Sequence, residues 1–413
     1  MSVKDFFKDF FKGDTVIWIC FLTLIAVSIV EMYSASSRLA FRTENFNGPI
    51  TRHVMFLMIG LVFAYLIHRL LHYKYIPLLG LFGYFISIIL LILVLFFGES
   101  ANGASRWFNI FGIRFQPSEL AKLTTTVVFA LFLGRNQEKG KIDKIWVYLL
   151  IIPLVPGVLI MMENLSTALL LLGACFIMLI CAGLSWKGVW NVISSRFFIG
   201  TVVVGILFFA FSEYKVSDVF HRLSTWQARI VNFYTPVSLD ETFEITDQNR
   251  QSSHAKIAIS NGRYFGLGVG DSEQRDFLAE AYSDFIFAII VEEIGLFSIL
   301  VVFIYLIIFS RAFYLIYRCD EPILCYTLLG LSLMLLVQAY FHVGVALGCF
   351  PVTGQPLPII SRGGTSIVIT SLSFGLMLCI SRYINESASA SSSNGRQTVD
   401  KSKANTKEIV KEN

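Results

Sequence analysis

The chain of 413 residues has few charged residues: Lys, Arg, Asp and Glu make up 15% of it, whereas soluble proteins carry about 25%. Long apolar runs such as 82–97 and 299–309 alternate with short polar segments. This alternation is typical of a polytopic membrane protein and excludes an ordinary soluble enzyme. The net charge is only +4 and the lysines are dispersed, so nucleic acid is not predicted as a partner.

The sequence also lacks the spacings of a disulfide framework, a metal site or a nucleotide loop. Most of its seven cysteines lie in apolar runs, where a thiol packs as a small hydrophobic group. Its six histidines form no cluster with metal-ligand spacing. No GxxxxGK motif is present. The sequence therefore makes no resident cofactor evident and assigns no metal ligands.

Ten apolar segments are long enough to cross a bilayer core, which requires about 20 residues per helix. They are predicted at 15–34, 53–70, 76–98, 118–134, 145–162, 166–185, 196–212, 284–309, 322–347 and 366–383. The fold class is thus an all-α polytopic membrane protein, with a ten-helix domain at 15–383. An N-terminal segment, 1–14, precedes the domain, and a tail rich in Ser, Lys and Asn, 384–413, is predicted to be disordered.

Lys and Arg set the expected orientation of these helices. With both termini in the cytoplasm, 19 of these residues lie in short inner segments and six in short outer loops, a clear positive-inside bias. The one long connection, 213–283, lies between the seventh and eighth spans. This orientation makes it extracytoplasmic, and long loops cross the membrane largely regardless of charge.

Polar residues concentrate in four outer segments. One is NGASRWFNIFGIRFQPSELAKL at 102–123, and another is MENLSTALL at the start of the sixth span. The long loop leads into DFIFAIIVEEIG at 284–295, and the last loop reads FPVTGQPLPIISRGGTS at 350–366. Taken in order, these segments resemble the SEDS (FtsW/RodA/SpoVE) family of membrane glycosyltransferases over about residues 14–383. The matched patterns are NGAxRW…QPSExxK, DFIFAxxxEExG and PVTGxPLPxxSxGG(S/T)S.

The resemblance implies a ten-helix enzyme that polymerises lipid II into peptidoglycan glycan strands. The long loop and the VEMYSASS end of the first span look nearer to the division branch of the family than to the elongation branch. A role in septal synthesis in the bacterial inner membrane is therefore expected. The resemblance also implies a class B penicillin-binding protein transpeptidase and other divisome proteins as partners.

Several positions depart from the common family pattern. Many members begin the sixth span with PDLGT, whereas this chain has Glu163 and Asn164 there. A carboxylate role at position 164 is therefore not carried over. Arg362 replaces a frequent Tyr, His342 replaces a common Asn, and Gln355 replaces a small apolar residue.

Glycan polymerisation joins a sugar hydroxyl to an anomeric carbon that carries a lipid diphosphate. It needs a base for the acceptor proton and cations for the leaving group. Asp284, at the outer end of the eighth span, is predicted to be the general base of an inverting reaction. The resemblance places this role on the aspartate of DFIFA. From the residues alone, Ser283 and Asp284 are also suited to cap the helix.

Glu119 and Lys122 are predicted to bind substrate. They lie one turn apart near the start of the fourth span and face the same way. Charged residues at membrane depth usually face a cavity or one another. The pair therefore either lines a polar cavity or forms a structural ion pair.

Outer-face cations are the predicted ligands of the diphosphate. Arg106, Arg222 and Lys256 are the main candidates, with Arg263 and Arg362 as further ones, although each of them alone is more often a solvated or interfacial residue. Ser361 is also assigned to substrate binding. It lies in the Pro- and Gly-rich last loop, where non-helical backbone at membrane depth must line a cavity or be covered by protein.

A divalent cation, Mg²⁺ or Mn²⁺, is a further candidate ligand between the diphosphate and Asp284, although no motif predicts one. Two other functions fit a membrane protein with a polar cavity: a lipid II flippase and a non-enzymatic division scaffold. A flippase needs a polar path through both leaflets, whereas the polar segments here are on the outer side. A scaffold would tolerate the loss of Asp284.

Overall fold

The computed structural model describes residues 12–35, 48–101, 104–110, 113–137, 141–193, 249–278 and 281–412. Within these residues, seven helical segments are long and apolar enough to cross a membrane. The chain is therefore an integral membrane protein of the polytopic all-α class. This agrees with the fold class that the hydropathy pattern predicts.

Nine of the ten predicted spans coincide with helices in the described part of the chain. The first six are α1 (Thr15–Ala35), α2 (Gly48–Leu70), α3 (Ile76–Phe97), α4 (Pro117–Arg135), α5 (Ile142–Glu163) and α6 (Leu165–Cys181). Two shorter helices follow, α7 (Trp186–Ile193) and α8 (Arg250–Gly262). The last three spans are formed by α9 (Ile286–Ile294) with α10 (Ile299–Ile316), α11 (Pro322–Ala346) and α12 (Thr365–Glu412). The predicted seventh span, 196–212, lies outside the described residues.

The predicted eighth span is interrupted rather than continuous. A short 3₁₀ turn, Gly295–Ser298, separates α9 from α10. Gly295 has φ +59°, and a Cβ at this position would lie 2.6 Å from both Gly266 N and Tyr264 O. The long loop thus crosses directly over the end of α9, and only a glycine fits beneath it.

A small antiparallel sheet stands between α3 and α4, where no strand was predicted. Its strands are β1 (Glu99–Ala101), β2 (Ala104–Ile110) and β3 (Ile113–Phe115), in the order β1-β2-β3. Asn109 pairs with Arg114 across β2 and β3. The segment is rich in aromatic and β-branched residues, which favour strands.

The last helix extends beyond the predicted end of the tenth span at 383. Its membrane-length part is Thr365–Ser389, and the helix continues to Glu412 through the segment predicted to be disordered. Residues 384–413 contain no proline. Backbone helix bonds are local and need no tertiary partner, so a polar composition alone does not end a helix.

The core consists of packed helix faces with an apolar exterior. One buried cluster joins α1 and α2 to α9–α12, and a second joins α3–α6 to α11. A third cluster packs α8 of the long loop onto α9 and α11. Large apolar side chains on α3, such as Phe82 and Phe96, are exposed, as expected for a lipid-facing surface. The long loop is therefore anchored to the helix that follows Asp284.

Candidate active site

A cavity of ≈ 730 Å³ lies at the end of the protein where α9 begins. Its walls come from the start of α2, the small sheet, the turn before α9 and the segment between α11 and α12. The last three of these belong to the polar segments singled out in the sequence, and Asn164 adds the segment before α6. The fold thus brings five separate stretches of the chain to one cavity.

Among the described residues that line this cavity, Asp284 is the one with a carboxylate side chain. It is partly buried in the turn before α9, two residues ahead of Ile286. The N-cap of α9 is Phe285, and no side-chain hydrogen bond caps the helix there. Ser283 Oγ donates a hydrogen bond of 3.2 Å to Asp284 Oδ1. The predicted capping role is thus not at the N-cap position, and the carboxylate borders the cavity instead.

Gly354 confines Asp284 from the opposite wall. It has φ +66°, and a Cβ there would lie 3.3 Å from Asp284 Oδ2. A larger residue would be strained by this backbone conformation and would press on the carboxylate. The glycine therefore lets the wall approach the acid closely.

Four arginines line the same cavity. They are Arg52 on α2, Arg106 and Arg114 on the sheet, and Arg362 before α12. Arg106 Nε donates a hydrogen bond of 2.9 Å to the carbonyl of Glu163. Four guanidinium groups beside one carboxylate make the described cavity cationic. Such a set suits a diphosphate, because one guanidinium group can donate two parallel hydrogen bonds to phosphate oxygens.

Arg362 is held in place by the residue two positions before Asp284. Its backbone N–H donates to the carbonyl of Tyr282 at 2.9 Å. Its guanidinium carbon lies 5.2 Å from the centre of the Tyr282 ring, a cation–π contact. Arg362 therefore connects the last loop to the turn that carries the acid.

The non-helical segment 355–360 contributes Pro356 to the cavity wall and is bonded to several helices. Each of four carbonyls on it accepts a hydrogen bond from a side chain of another element. The bonds are His342 Nδ1 to Gln355 O at 2.7 Å, Gln338 Nε2 to Pro356 O at 2.9 Å, Tyr305 Oη to Pro358 O at 2.6 Å, and Ser28 Oγ to Ile359 O at 2.8 Å. Backbone groups at membrane depth need such partners, so the wall is fixed.

Glu119 and Lys122 form an ion pair at 2.9 Å, with both side chains 5% exposed. They line a separate small cavity of ≈ 30 Å³ rather than the large one. Lys122 Nζ donates to Gln338 Oε1 at 3.1 Å, and Gln338 donates to the carbonyl of Pro356. The structure therefore has the ion pair and places it beside a small cavity apart from the large one, with Gln338 connecting it to the wall of the large cavity.

Two other predicted substrate-binding residues, Ser361 and Lys256, are not among the residues that line the cavity. Ser361 is buried and is not one of the lining residues. Its hydroxyl donates to the carbonyl of Ser283 at 2.7 Å and accepts from Leu357 N at 2.8 Å. Lys256 is exposed on α8 beside Gly348, and it does not line the cavity. Arg222 lies outside the described residues.

The departures in the sixth span and last loop have a local explanation. Asn164 is the N-cap of α6, and its Oδ1 accepts from Ser166 N at 3.1 Å. An amide caps a helix as well as a carboxylate does. Gln355 Nε2 donates to Thr167 Oγ1 at 2.6 Å, and its carbonyl accepts from His342. Two of the unusual residues, Gln355 and His342, therefore contact each other.

Three basic lining residues, Arg52, His53 and Arg114, were not predicted as site residues from the sequence. In the sequence, Arg52 and Arg114 count only among the loop charges, and His53 only among the histidines without metal-ligand spacing. Helix α2 begins at Gly48, five residues before the predicted start at 53, so Arg52 and His53 belong to its early turns. The Asn-Gly dipeptide at 102–103 is a hairpin signal that points to the sheet carrying Arg114.

The described side chains do not by themselves provide a metal site. Within the described part of the chain there is no group of three or more His, Cys, Asp or Glu residues that would hold a metal ion. Asp284 contributes a carboxylate to the large cavity, and no second acidic side chain is present among its described lining residues. Binding of Mg²⁺ or Mn²⁺ together with a diphosphate stays a prediction.

Comparison with known proteins gives the family of this chain. The FtsW/RodA/SpoVE family, described as cell cycle protein, matches residues 14–386. The chain belongs to the FtsW/RodA/SpoVE family. Curated relatives include the peptidoglycan glycosyltransferase MrdB of Escherichia coli K12, which is 30% identical over 91% of this chain and 95% of that protein. The probable peptidoglycan glycosyltransferase FtsW of Bacillus subtilis is 30% identical over 87% of this chain and 86% of its own.

Solved structures share this fold. A chain from a peptidoglycan synthase complex that coordinates polymerisation and crosslinking matches with a TM-score of 0.66 and 24% identity, covering 90% of this chain and 98% of that one. The rod shape determining protein RodA of Thermus thermophilus matches with a TM-score of 0.59 and 24% identity, covering 90% and 97%. With its curated relatives, this FtsW/RodA/SpoVE member is a peptidoglycan glycosyltransferase of cell-wall synthesis.

Proposed function

We propose that this enzyme polymerises lipid II into glycan strands by an inverting mechanism with Asp284 as the general base. One observation carries the proposal: Asp284 borders a cavity of ≈ 730 Å³ together with four arginines. A base beside a cationic site is what the reaction requires, because a proton leaves the acceptor as negative charge develops on the diphosphate.

In this mechanism Asp284 takes the proton from the 4-hydroxyl of GlcNAc on one lipid-linked disaccharide. The oxygen attacks C1 of MurNAc on a second lipid II or on a growing strand. The C1–O bond to the diphosphate breaks, and its electron pair leaves with undecaprenyl diphosphate. Arg52, Arg106, Arg114 and Arg362 stabilise that charge. Attack from the face opposite the leaving group converts the α-linked donor into a β bond.

The residues around the cavity divide into two roles. The four arginines would contact the substrate. Glu119, Lys122 and Ser361 would act through the protein, because they bond to Gln338, Ser283 and the wall. The predicted cations Arg222 and Lys256 belong to the long loop, which we place on the outer face above the cavity with both chain termini in the cytoplasm.

The cellular role and partner follow from similarity. We assign the enzyme to septal synthesis, enriched at the division site, because several of the relatives are named FtsW. We infer a class B penicillin-binding protein as its transpeptidase partner, beside other divisome proteins. The structural match to a chain of a polymerising and crosslinking complex supports this.

The test is polymerisation of purified lipid II by the protein with its transpeptidase partner, comparing wild type with Asp284→Asn. Glycan strands are expected from wild type, and a loss of about 10²–10⁴-fold in rate from the variant. The variant must still fold and bind the partner. Equal rates would remove Asp284 from the mechanism. No product from either, beside an active family member, would favour flipping or scaffolding.

A further inference from the structure

His53 is a buried histidine in the cavity wall with one engaged and one unengaged ring nitrogen. It lies in the early turns of α2, is 2% exposed and lines the large cavity. Its Nε2 lies 2.8 Å from Ser28 Oγ. Its Nδ1 is buried and has no hydrogen-bond partner among the described residues. The ring is thus anchored at one nitrogen and unsatisfied at the other.

The contacts of Ser28 assign the proton on the ring. Ser28 Oγ lies 2.8 Å from Ile359 O and 3.2 Å from Ile360 O. A hydroxyl has one hydrogen, and a carbonyl only accepts, so this hydrogen points to the carbonyls. Ser28 Oγ must then accept from His53, which places a hydrogen on Nε2. In the neutral ring the other nitrogen, Nδ1, carries a lone pair.

The surroundings favour this neutral form. At neutral pH most histidine side chains are uncharged. Arg52 precedes His53 in the chain, and Arg362 lines the same cavity. Both would repel the positive charge of a protonated His53 ring. Nδ1 is therefore a hydrogen-bond acceptor, and a buried acceptor without a donor is unfavourable. Since the described protein supplies no donor, the cavity that His53 borders is where one would enter.

We propose that His53 Nδ1 accepts a hydrogen bond from a hydroxyl or amide N–H of the substrate saccharide. This inference rests on the proposed function. In that function the arginines hold the diphosphate and Asp284 meets the attacking hydroxyl, so the sugars lie in the same cavity. His53 would then be a specificity-determining residue that reads the saccharide and makes no contact with the diphosphate.

Two substitutions of His53 distinguish the roles of its two ring nitrogens. The amide of His53→Gln reaches the position of Nε2 and keeps the donor to Ser28, but it loses the acceptor at Nδ1. The carbonyl oxygen of His53→Asn reaches the position of Nδ1 and keeps the acceptor, but it loses the bond to Ser28. The affinity of purified wild type and both variants would be measured for lipid II and for undecaprenyl diphosphate, which lacks the sugars.

The proposal expects His53→Gln to weaken lipid II binding about tenfold, the effect of one buried hydrogen bond. It expects unchanged affinity for undecaprenyl diphosphate. His53→Asn should bind lipid II more tightly than His53→Gln does. The reverse order would make His53 an anchor for Ser28 only and overturn the proposal. Equal weakening for both ligands would also overturn it, because it would indicate damage to the whole cavity.

A measurement on the wild type does not depend on how the variants fold. In protein labelled with ¹⁵N-histidine, an unprotonated Nδ1 resonance should move when lipid II is added and stay in place with undecaprenyl diphosphate. Absence of any lipid II-specific change would refute the contact. These binding experiments do not involve turnover, so they stand even if Asp284→Asn polymerises like wild type, which would refute only the proposed base.

Discussion

The two ends of α9 hold carboxylates in opposite situations. Asp284 precedes the helix and borders a large cationic cavity. Glu292 lies about 12 Å further along and is fully buried. Its Oε1 accepts from Asn261 at 2.9 Å, and its Oε2 accepts from Ser272 and from Gln274 N. The carboxylate of Glu292 thus accepts hydrogen bonds from the protein at both oxygens, whereas that of Asp284, the proposed base, borders a cavity.

The role of Glu292 explains how the long loop is attached. Its three partners all come from the long loop, from α8 and the segment after it. The loop backbone adds bonds of 2.9 Å from Leu267 N to Glu292 O and 3.0 Å from Gly268 N to Glu293 O. Gly266, Gly268 and Gly270 in this part of the loop have positive φ angles, so the chain bends here. Glu292 therefore organises the surroundings of the site without touching it.

The largest effect is expected when the carboxylate of Asp284 is replaced by an amide. Asp284→Asn should lower the polymerisation rate by about 10²–10⁴-fold, while the thermal midpoint in detergent stays within a few degrees of wild type. The carboxylate is only partly buried, so few protein contacts are lost. A large fall in the midpoint would show that both ends of α9 hold structural acids.

The opposite pattern is expected at the other end of the helix. Glu292→Gln turns one acceptor oxygen into a donor that faces protein donors, and an unsatisfied buried group costs about 1–3 kcal/mol. The thermal midpoint should therefore fall, and the long loop should become more sensitive to protease. The folded fraction should keep its affinity for lipid II. Full stability together with lost binding would make Glu292 part of the site.

Replacing an arginine of the cavity is expected to have an intermediate effect, and this effect should be on substrate binding. Arg114→Gln should raise the KM for lipid II about tenfold, since a hydrogen bond to a charged group contributes roughly 1.5–3 kcal/mol. Binding of undecaprenyl diphosphate should weaken in parallel, because the arginine is expected to contact the phosphates. Arg263 is an exposed residue directly after α8 and is not among the lining residues of the cavity. Arg263→Gln is therefore the matched control and should leave both values unchanged.

The smallest effect concerns the helix cap that replaces the family carboxylate. Asn164→Ala should reduce the free energy of unfolding by about 1 kcal/mol, the usual value of an N-cap, because Ser166 N loses its partner. Asn164→Asp should restore that stability. A rate increase with Asn164→Asp, measured in the polymerisation assay, would instead make a carboxylate at this position part of the chemistry.

Much of the architecture could be read from local sequence properties. Helix positions follow apolar runs, because each spanning helix must satisfy its own backbone inside the bilayer. Nine predicted spans are therefore found where expected in the described part of the chain, and Asp284 lies at the start of the eighth. The break at Gly295 was not predicted. It depends on where the long loop crosses α9, which no hydropathy window reports.

The sequence by itself determined the membrane class, the described spans and the polar segments between them, because these depend on composition summed over one helix length. Only the tertiary structure decided which polar residues meet. Lys122 reaches Gln338 rather than the large cavity, and Ser28 bonds to a carbonyl 331 residues away, at Ile359. Such contacts arise because backbone carbonyls of a non-helical wall must find donors, whichever helix provides them. The position of that wall sets the cavity in which Asp284 lies.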